Sequence, residues 1–404
     1  MTTSGRRIAR RRGNHRPLVV HVCTRFLQGG SEQRLCDLLT ALPDWHHHVI
    51  IGRDSDEVLA RRRLSGATVE VAPHLVRELR PLSDLRASWY LLRALRGLRP
   101  ALVITHQSKA GVIGRIGARA ISAPTVQSLS MAGFGPGYSK AKDLLFRTVE
   151  RALAPITSAY AVVGVDLGRR YRRAGIDVAQ VVIRSGARLP QPLPDPDRVA
   201  ARKRFLGERA DDAGVVLCIG SLDERKGVLQ LPELMSRLCV EPGVDPHLLV
   251  AGEGPLEEQL GHQLEIQGHR HRSELLGHVT DLDELFGAAD LVILLSNAEG
   301  LPQVLVQAAS AGVPFVAYDV DGVRELLDRG AQGSVVPLGA IDRVGDEAAR
   351  WLSDGTASDA EFDLHEWQPE VILSQYRALV SLVMGDSPVV GLLRAPAPSQ
   401  AATG

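Results

Sequence analysis

Glu299 and Gly300 close a polar loop after the buried run Leu291 to Leu295, and a helix opens directly beyond them at Pro302. The stretch from Asp290 to Leu326, DLVILLSNAEGLPQVLVQAASAGVPFVAYDVDGVREL, reads as strand, loop, helix and strand. The helix stops at Ala311-Gly312, and the apolar run Pro314 to Tyr318 follows. Proline suits the first helical turn, where its missing N–H would have had no partner. In an open α/β fold such a helix N-terminus faces the carboxyl edge of the sheet, where free N–H groups and the helix dipole favour phosphates. An acid at Glu299 and a polar side chain on the helix can hold hydroxyls beside those phosphates. The chemistry expected here is binding of a nucleotide sugar, although an ordinary βαβ crossover would show the same pattern.

A second turn has complementary chemistry. CIGSLDERKGV ends a strand at Gly220, passes through a polar turn and reaches Lys226-Gly227 before a helix. Glycine lets the backbone approach a diphosphate, and Lys226 brings a compact positive charge. Only five of the 47 basic residues are lysine, so composition does not supply this one by default. A solvated basic loop reads the same way. AGEGPL places Gly252 and Gly254 in another turn at the same sheet edge. GHVTD, from Gly277 to Asp281, closes a further strand whose free backbone groups can read a flat base. In the first half, FLQGGSEQRLCDLL puts Gly29-Gly30 between strand and helix with Glu32 in the opening turn, without the spacing of a dinucleotide-binding loop. THQSKAGVIGR joins another strand to a helix, with Ser108 as its expected cap.

These turns need a scaffold, and the chain is long enough for two domains: 404 residues, 45% hydrophobic, with zero formal net charge. That zero conceals a division. Residues 1–195 carry 31 Lys and Arg against 14 Asp and Glu, and the remainder carries 16 against 33. Two halves with separate binding tasks are implied, the basic one suited to an anionic acceptor, a membrane surface or its own acidic partner half. Nucleic acid is disfavoured, since aromatic residues are only 4% of the chain and no recognition helix stands out. Cys23, Cys36, Cys218 and Cys239 have no framework spacing, which suggests reduced thiols and a cytoplasmic protein. The Arg-rich start is followed by an apolar run too short for a signal or membrane segment.

Short apolar runs alternate with helical patterns, the pattern of doubly wound α/β domains. Strands are expected at Leu18 to Cys23, Val49 to Gly52, Thr68 to Val71, Leu102 to His106, Thr125 to Leu129, Ala159 to Val163 and Val181 to Arg184. LPQPLPDPDR then breaks the pattern with four prolines, as a hinge would. A second series runs through Val215 to Gly220, Leu248 to Gly252, Glu274 to Leu276, Leu291 to Leu295, Phe315 to Tyr318 and Ser334 to Val336. The expected organisation is a basic tail (1–16), an N-terminal Rossmann-like domain (17–190), a C-terminal Rossmann-like domain (191–364), a helix returning to the first domain (365–385) and a second tail (386–404). The chemistry then falls in the cleft between domains.

Taken in order, GGSE at 29–32, HQSKAGVIGR at 106–115, GSLDERKG at 220–227, GEGP at 252–255, GHVTD at 277–281 and EGLPQVLVQAASAGVP at 299–314 resemble the retaining GT-B glycosyltransferases of family 4. The resemblance spans nearly the whole folded chain. It implies a C-terminal domain that binds a UDP- or GDP-linked sugar and an N-terminal domain that binds the acceptor: a natural product, glycolipid or envelope glycan. By resemblance, Lys226, Arg225 and Glu299 are the catalytic groups, and Glu299 meets the donor sugar. Gly220, Ser221, Gly254, His278, Val279, Gly300, Leu301, the amides of Gln303 and Val304, and Gln307 line the donor site. Gly29, Gly30, Glu32, His106, Lys109, Ala132 and Gly133 lie on the acceptor side. No metal or other cofactor is implied.

Four positions depart from the family. Gln307 stands where a second acid usually grips ribose, Ser221 where arginine is frequent, Ala132 where a histidine contacts the sugar, and Asp321 in place of the first of two glycines. Such changes keep two other readings open, a sugar-nucleotide epimerase and a non-catalytic nucleotide-sugar-binding partner. Asp319-Val320-Asp321 spells the metal-binding DxD string of a different fold, but here it follows a strand of a metal-independent architecture. His46-His47-His48 alternate in direction along a strand and are expected at the surface or the strand's start. From Arg77 to Arg99, six arginines interleave with Trp89, Tyr90 and leucines, the pattern of a membrane-facing helix or of a helix with a solvated arginine face.

Overall fold

A computed structural model of the chain describes residues 16–27, 30–135, 137–207, 213–354 and 362–385. Gly29, the expected first tail except Arg16, and the whole of the expected second tail lie outside them. The first domain runs β1 (Leu18–Cys23), α1 (Gly30–Ala41), β2 (His46–Gly52), α2 (Glu57–Arg63), β3 (Ala67–Ala72), α3 (Pro81–Leu98), β4 (Leu102–His106), α4 (Ser108–Ala120), β5 (Thr125–Leu129), α5 (Lys140–Leu153), β6 (Ala159–Val162), α6 (Val165–Arg173) and β7 (Gln180–Val182). The second runs α7 (Asp195–Leu206), β8 (Gly214–Ile219), α8 (Leu231–Leu238), β9 (Pro246–Ala251), α9 (Glu257–Ile266), β10 (Ser273–Gly277), α10 (Leu282–Ala288), β11 (Leu291–Leu294), α11 (Gln303–Ser310), β12 (Phe315–Tyr318), α12 (Val323–Leu327), β13 (Gly333–Val336) and α13 (Ile341–Asp354). The final helix α14 (Pro369–Met384) packs on α1, β6 and β7 of the first domain.

Both sheets are parallel, ordered β3-β2-β1-β4-β5-β6-β7 and β10-β9-β8-β11-β12-β13. Each order reverses once, between β1 and β4 and between β8 and β11, and the carboxyl ends flanking such a reversal leave a crevice for ligands. Helices cover both sheet faces, which is why the strands read as unbroken apolar runs such as Leu291–Leu294.

Local details differ from the sequence reading in three places. Pro302 is the cap of α11, with extended backbone (φ −71°, ψ 107°), and the first helical residue is Gln303. The cap of α4 is Gln107, at φ 67°, and Ser108 is inside the helix. Gln107 tolerates this backbone because its side chain is tied to Arg25, accepting from Arg25 N at 3.0 Å and donating to Arg25 O at 2.8 Å. His46–His48 do open strand β2, with His46 exposed, but they do not all lie at the surface. His47 is buried and stacks on His21, which in turn stacks on His106, so strands β2, β1 and β4 bring three imidazoles into one column. His47 Nδ1 lies 3.1 Å from His21 Nε2, and its Nε2 lies 3.0 Å from the Leu42 carbonyl.

Burial lowers the pKa of His21 and His47 from the usual 6.5 and pushes His106 down to about 3. Since the unfolded chain then takes up protons first, stability present above about pH 6.5 is lost progressively as the pH falls. The thermal midpoint should therefore fall steadily between pH 7.5 and 5; a flat profile would contradict a neutral column.

The division of charge becomes a set of contacts across the cleft. Arg170 of α6 holds Asp321, the fully buried Arg184 beyond β7 holds Glu325 of α12 and Glu366, and Arg188 of the linker holds Asp283. In each pair the cation belongs to the first half and the acid to the second. Glu325 also accepts from the backbone N–H of Val165 at 2.7 Å and of Asp166 at 3.2 Å, so an acid of the second domain caps the first turn of α6.

Candidate functional site

Three loops at the carboxyl edge of the second sheet are knit into one rim. Gly220 N donates to Ala251 O, Leu222 N to Glu253 O, and Gly252 N to Gly277 O at 2.7 Å. Glycine is required at Gly252 and Gly254 for contact, since an added Cβ would lie 1.9 Å from the Gly220 carbonyl and 2.4 Å from that of Leu222. His278 stands exposed beyond β10 and Val279 is half-buried beside it. The rim ends at the 220–227 turn, where Asp223 caps the segment by accepting from Lys226 N at 3.1 Å and Ser221 Oγ donates to Asp223 at 2.8 Å.

Lys226 and Arg225 leave this turn and cross the reversal point to the loop after β11. Lys226 Nζ lies 2.7 Å and Arg225 Nη1 3.1 Å from the same oxygen, Glu299 Oε1. Asn297 N donates to the Arg225 carbonyl at 2.8 Å, which fixes the two loops together. Burial opposes ionisation of Glu299, but Lys226 and then Arg225 outweigh it and hold the carboxyl below its ordinary range. The structure thus brings together the three expected catalytic residues as an ionised cluster. The first amides of α11, Gln303 and Val304, follow four and five residues after Glu299 in the same loop-helix corner. Gln303 is distinctive there, because both polar atoms of its side chain are buried without a protein partner. Gly300 and Leu301 form the corner itself. A Cβ on Gly300 would sit 2.1 Å from Ser130 O, so the two domains meet here backbone to backbone.

Gln307 lies one turn further along α11. Its amide donates to the carbonyl of Arg188 in the linker at 3.1 Å, and Ser310 Oγ likewise donates to Pro190 O at 2.8 Å. A carboxylate at 307 could not make the first of these bonds. The amide therefore fastens α11 to the hinge.

Of the acceptor-side residues, Ala132 lines the cleft and Gly133 packs beside Ser108, 3.3 Å from a Cβ position to Oγ. The other described ones make contacts within the first domain. Gly30 opens α1, and Glu32 in its first turn accepts from Ser31 Oγ at 2.7 Å and from Leu27 N of the preceding loop at 3.4 Å. His106 is buried in the histidine column, and Lys109 ties α4 to Asp84 of α3 at 2.6 Å and to the carbonyl of Glu78.

Sequence reasoning missed one pocket of the cleft. A pocket of about 350 Å³ lies between the domains, with Ala132, Phe134, Tyr138 and Arg170 on one wall and Glu299, Asp319, Asp321 and Arg324 on the other. Arg170 is the residue no motif announced, one of four arginines in the α6 run GRRYRR. The signal available was Asp321, an acid where a glycine was expected and therefore in need of a cation. Both acids of the DxD string are occupied, Asp319 by Arg324 and Asp321 by Arg170.

The comparisons with known proteins agree with this geometry. Residues 200–363 match the family described as Glycosyl transferases group 1, and residues 29–186 match the Glycosyl transferase 4-like domain. The chain is 25% identical over 277 residues to UDP-Gal:alpha-D-GlcNAc-diphosphoundecaprenol alpha-1,3-galactosyltransferase of Escherichia coli, covering 67% of this chain and 71% of that one. It is 32% identical over 158 residues to alpha-D-kanosaminyltransferase of Streptomyces kanamyceticus, but spans only 41% of that protein. Among solved structures, HepE of Anabaena in complex with UDP and glucose superposes with a TM-score of 0.68 at 20% identity, covering 92% of this chain and 98% of its own. Sucrose-phosphate synthase of Thermosynechococcus elongatus superposes with a TM-score of 0.70 at 16% identity, covering 92% and 97%. With the ionised cluster at the reversal point and both domains matched, the chain belongs to the group 1 glycosyltransferases of the GT-B fold.

Proposed function

We propose that this glycosyltransferase moves a hexosyl group from a UDP-linked sugar to a hydroxyl of a glycan or glycolipid, with retention at the anomeric carbon and without a metal. The observation that carries this reading is the Lys226–Glu299–Arg225 cluster at the N-terminus of α11. A diphosphate entering between the 220–227 turn and α11 meets two cations and a helix N-terminus, which stabilise charge as the phosphate leaves. That positive charge takes the place of a metal, and the DxD carboxylates are already engaged by guanidinium groups. HepE binds UDP and UDP-glucose and the related Escherichia coli enzyme is a UDP-Gal galactosyltransferase, which supports uridine as the base.

Retention follows a front-face course. The C1–O bond to the phosphate breaks, the acceptor oxygen bonds C1 on the same face, and the acceptor proton passes to the leaving phosphate oxygen. Glu299 holds a donor-sugar hydroxyl during this exchange, with Lys226 shared between carboxylate and diphosphate. Incubation with a panel of UDP- and GDP-sugars, read by nucleotide release and by the anomeric coupling constant of the product, tests the reading. A ligand at 100 times its dissociation constant should add about 2.7 kcal/mol of stability in a thermal-shift screen. A panel with neither shift nor release would remove it.

Glu299→Gln should depress transfer more than binding of bare UDP, because the side chain serves the sugar. Loss of a charge-assisted contact costs about 1.5–3 kcal/mol, roughly 10- to 150-fold in kcat/KM. Equal loss of UDP and UDP-sugar affinity would move Glu299 out of the sugar site.

The acceptor lies at a membrane surface in this reading. Leu79, Leu82, Leu85 and Trp89 are between 63% and 76% exposed on α3 and the loop before it, flanked by Arg80, Arg86 and Arg93. Helix α3 packs on α4 and α4 on α5, where Ile116, Leu144 and Leu145 are also exposed. No helix among the described residues is long and apolar enough to cross a bilayer. Arginines near an anionic bilayer contribute about 1 kcal/mol each. Protein lacking residues 1–16 should co-sediment with anionic vesicles at low salt and release at moderate salt, with Trp89→Ala weakening capture. If the shortened protein ignores anionic vesicles at low salt, the arginine face is only solvated.

A further inference from the structure

A second cavity, of about 510 Å³, lies at the hinge, between α1, the linker and the start of α14. None of the residues assigned above to the donor or the acceptor lines it. Gln33, Asp37 and Thr40 form its polar wall from one face of α1, at the spacing of successive helical turns. Leu189, Trp367, Ile372 and Leu373 form the apolar wall. A cavity that is mainly apolar, with a few polar groups converging on it, is built like a small-molecule site.

Asp37 settles which class of molecule fits. Its Oδ1 accepts from Gln33 Nε2 at 2.8 Å and its Oδ2 from Gly186 N at 3.1 Å, so each oxygen keeps a lone pair for a further donor. No lysine or arginine pairs with it among the described residues. Arg34 and Arg63 act on it only through space, because Arg34 is bonded to Ser128 Oγ and to the carbonyls of Ala161 and Ile183, and Arg63 to Gln33 Oε1. Burial pushes the Asp37 carboxyl up from its ordinary range against their pull. A desolvated carboxylate without a counter-ion is unfavourable, and a ligand cation relieves it. The other charged residue of the wall, Arg188, is already engaged by Asp283. An anion would face Asp37, and an uncharged molecule would leave its charge unpaired. Trp367 is 3% exposed and its indole N–H has no protein partner, so the wall also holds a donor that the fold leaves unmet.

Two contact paths lead from this cavity toward the ionised cluster. The Arg184 guanidinium lies 4.8 Å from the centroid of the Trp367 ring and holds Glu325, which caps α6. On the linker, the carbonyls of Arg188 and Pro190 accept from Gln307 and Ser310, so α11 is fastened to the same segment.

We propose that the hinge cavity is a regulatory site for a small organic ammonium with an apolar flank, its N–H groups on Asp37 and its flank on Ile372 and Leu373. Occupancy joins α1 of the first domain to the linker, and stiffens both the linker and the helix α11 tied to it.

The test uses the full chain with matched probes: phenethylamine and cyclohexylamine, the corresponding alcohols phenylethanol and cyclohexanol, and phenylpropionate as the anion. Saturation-transfer NMR reads binding, and hydrogen exchange reads its place. At least one amine should bind, with its alcohol and the anion tenfold or more weaker. Asp37→Asn keeps the shape of the wall and removes its charge, whereas Thr40→Trp fills the cavity from an exposed position of α1. Each should cut amine binding tenfold or more while the thermal midpoint stays near that of the parent, and should one variant fail to fold the other decides. Bound amine should slow exchange at residues 186–191 and in α11. The assignment is overturned if no amine binds, if the alcohols or the anion bind as tightly as the amines, if binding survives either substitution in a folded protein, or if exchange is unchanged in either segment.

Discussion

Lys226→Ala is expected to lose about 10- to 150-fold in affinity for nucleoside diphosphate and nucleotide sugar alike, corresponding to about 1.5–3 kcal/mol for a hydrogen bond to a charged group. Lys226 Nζ is 2.7 Å from Glu299, so the substitution also leaves the carboxylate with Arg225 alone, at 3.1 Å. The pKa of Glu299 should rise, since Lys226 is the largest of the charges that hold it down. Calorimetric titration with UDP and with a UDP-sugar, alongside turnover, separates the effects. Affinity and turnover that both matched the parent in a folded Lys226→Ala variant would take the lysine out of the diphosphate site.

Glu325→Ala should have the largest effect on stability. The carboxylate accepts from two backbone amides of α6 and pairs with Arg184, whose side chain is completely buried. Without Glu325 that guanidinium keeps one carboxylate, Glu366, and the carbonyl of Val163, and the first turn of α6 loses its acceptor. Breaking a buried pair from one side costs about 3–5 kcal/mol, because the remaining charge stays desolvated. The surviving Glu366 contact places the expectation at the lower end. Thermal unfolding gives the size of the loss, and hydrogen exchange at Val165 and Asp166 gives its location. Unchanged exchange at those two amides would mean that the capping contact does not hold the domains together.

The strands were legible in the sequence because parallel sheets covered on both faces leave continuous apolar runs, and the reversal-point loops were legible because glycine, proline and lysine mark them. Elements with polar interiors were harder. The strand β2 begins at His46, three residues before the expected Val49: His46 is exposed, His47 is hidden by stacking on His21 of β1, and His48 pairs with Glu70 of β3, so none of the three announces a strand by hydrophobicity. His106 and Lys109 were expected beside the acceptor but are turned inward, a choice of side-chain direction that local spacing does not carry. Gln307 occupies the expected turn of α11, yet its partner is a linker carbonyl about 120 residues earlier. Arg170 and Arg184 illustrate the general difficulty. In a chain with so many arginines, the one that meets a particular acid is chosen by tertiary geometry, and nothing in the α6 run distinguishes Arg170 from its neighbours.

The cation-to-acid ordering across the cleft gives the molecule a large electric dipole despite its zero net charge. A body of that kind feels no net force in a uniform field, but the field exerts a torque that turns it before it arrives. Near any anionic sheet or polymer the first domain should lead and the nucleotide-binding domain should trail, open to the solution that supplies its donor. Orientation would then be settled in the encounter, ahead of any specific contact, and would fade as added salt shortens the reach of the field to about 8 Å at physiological ionic strength.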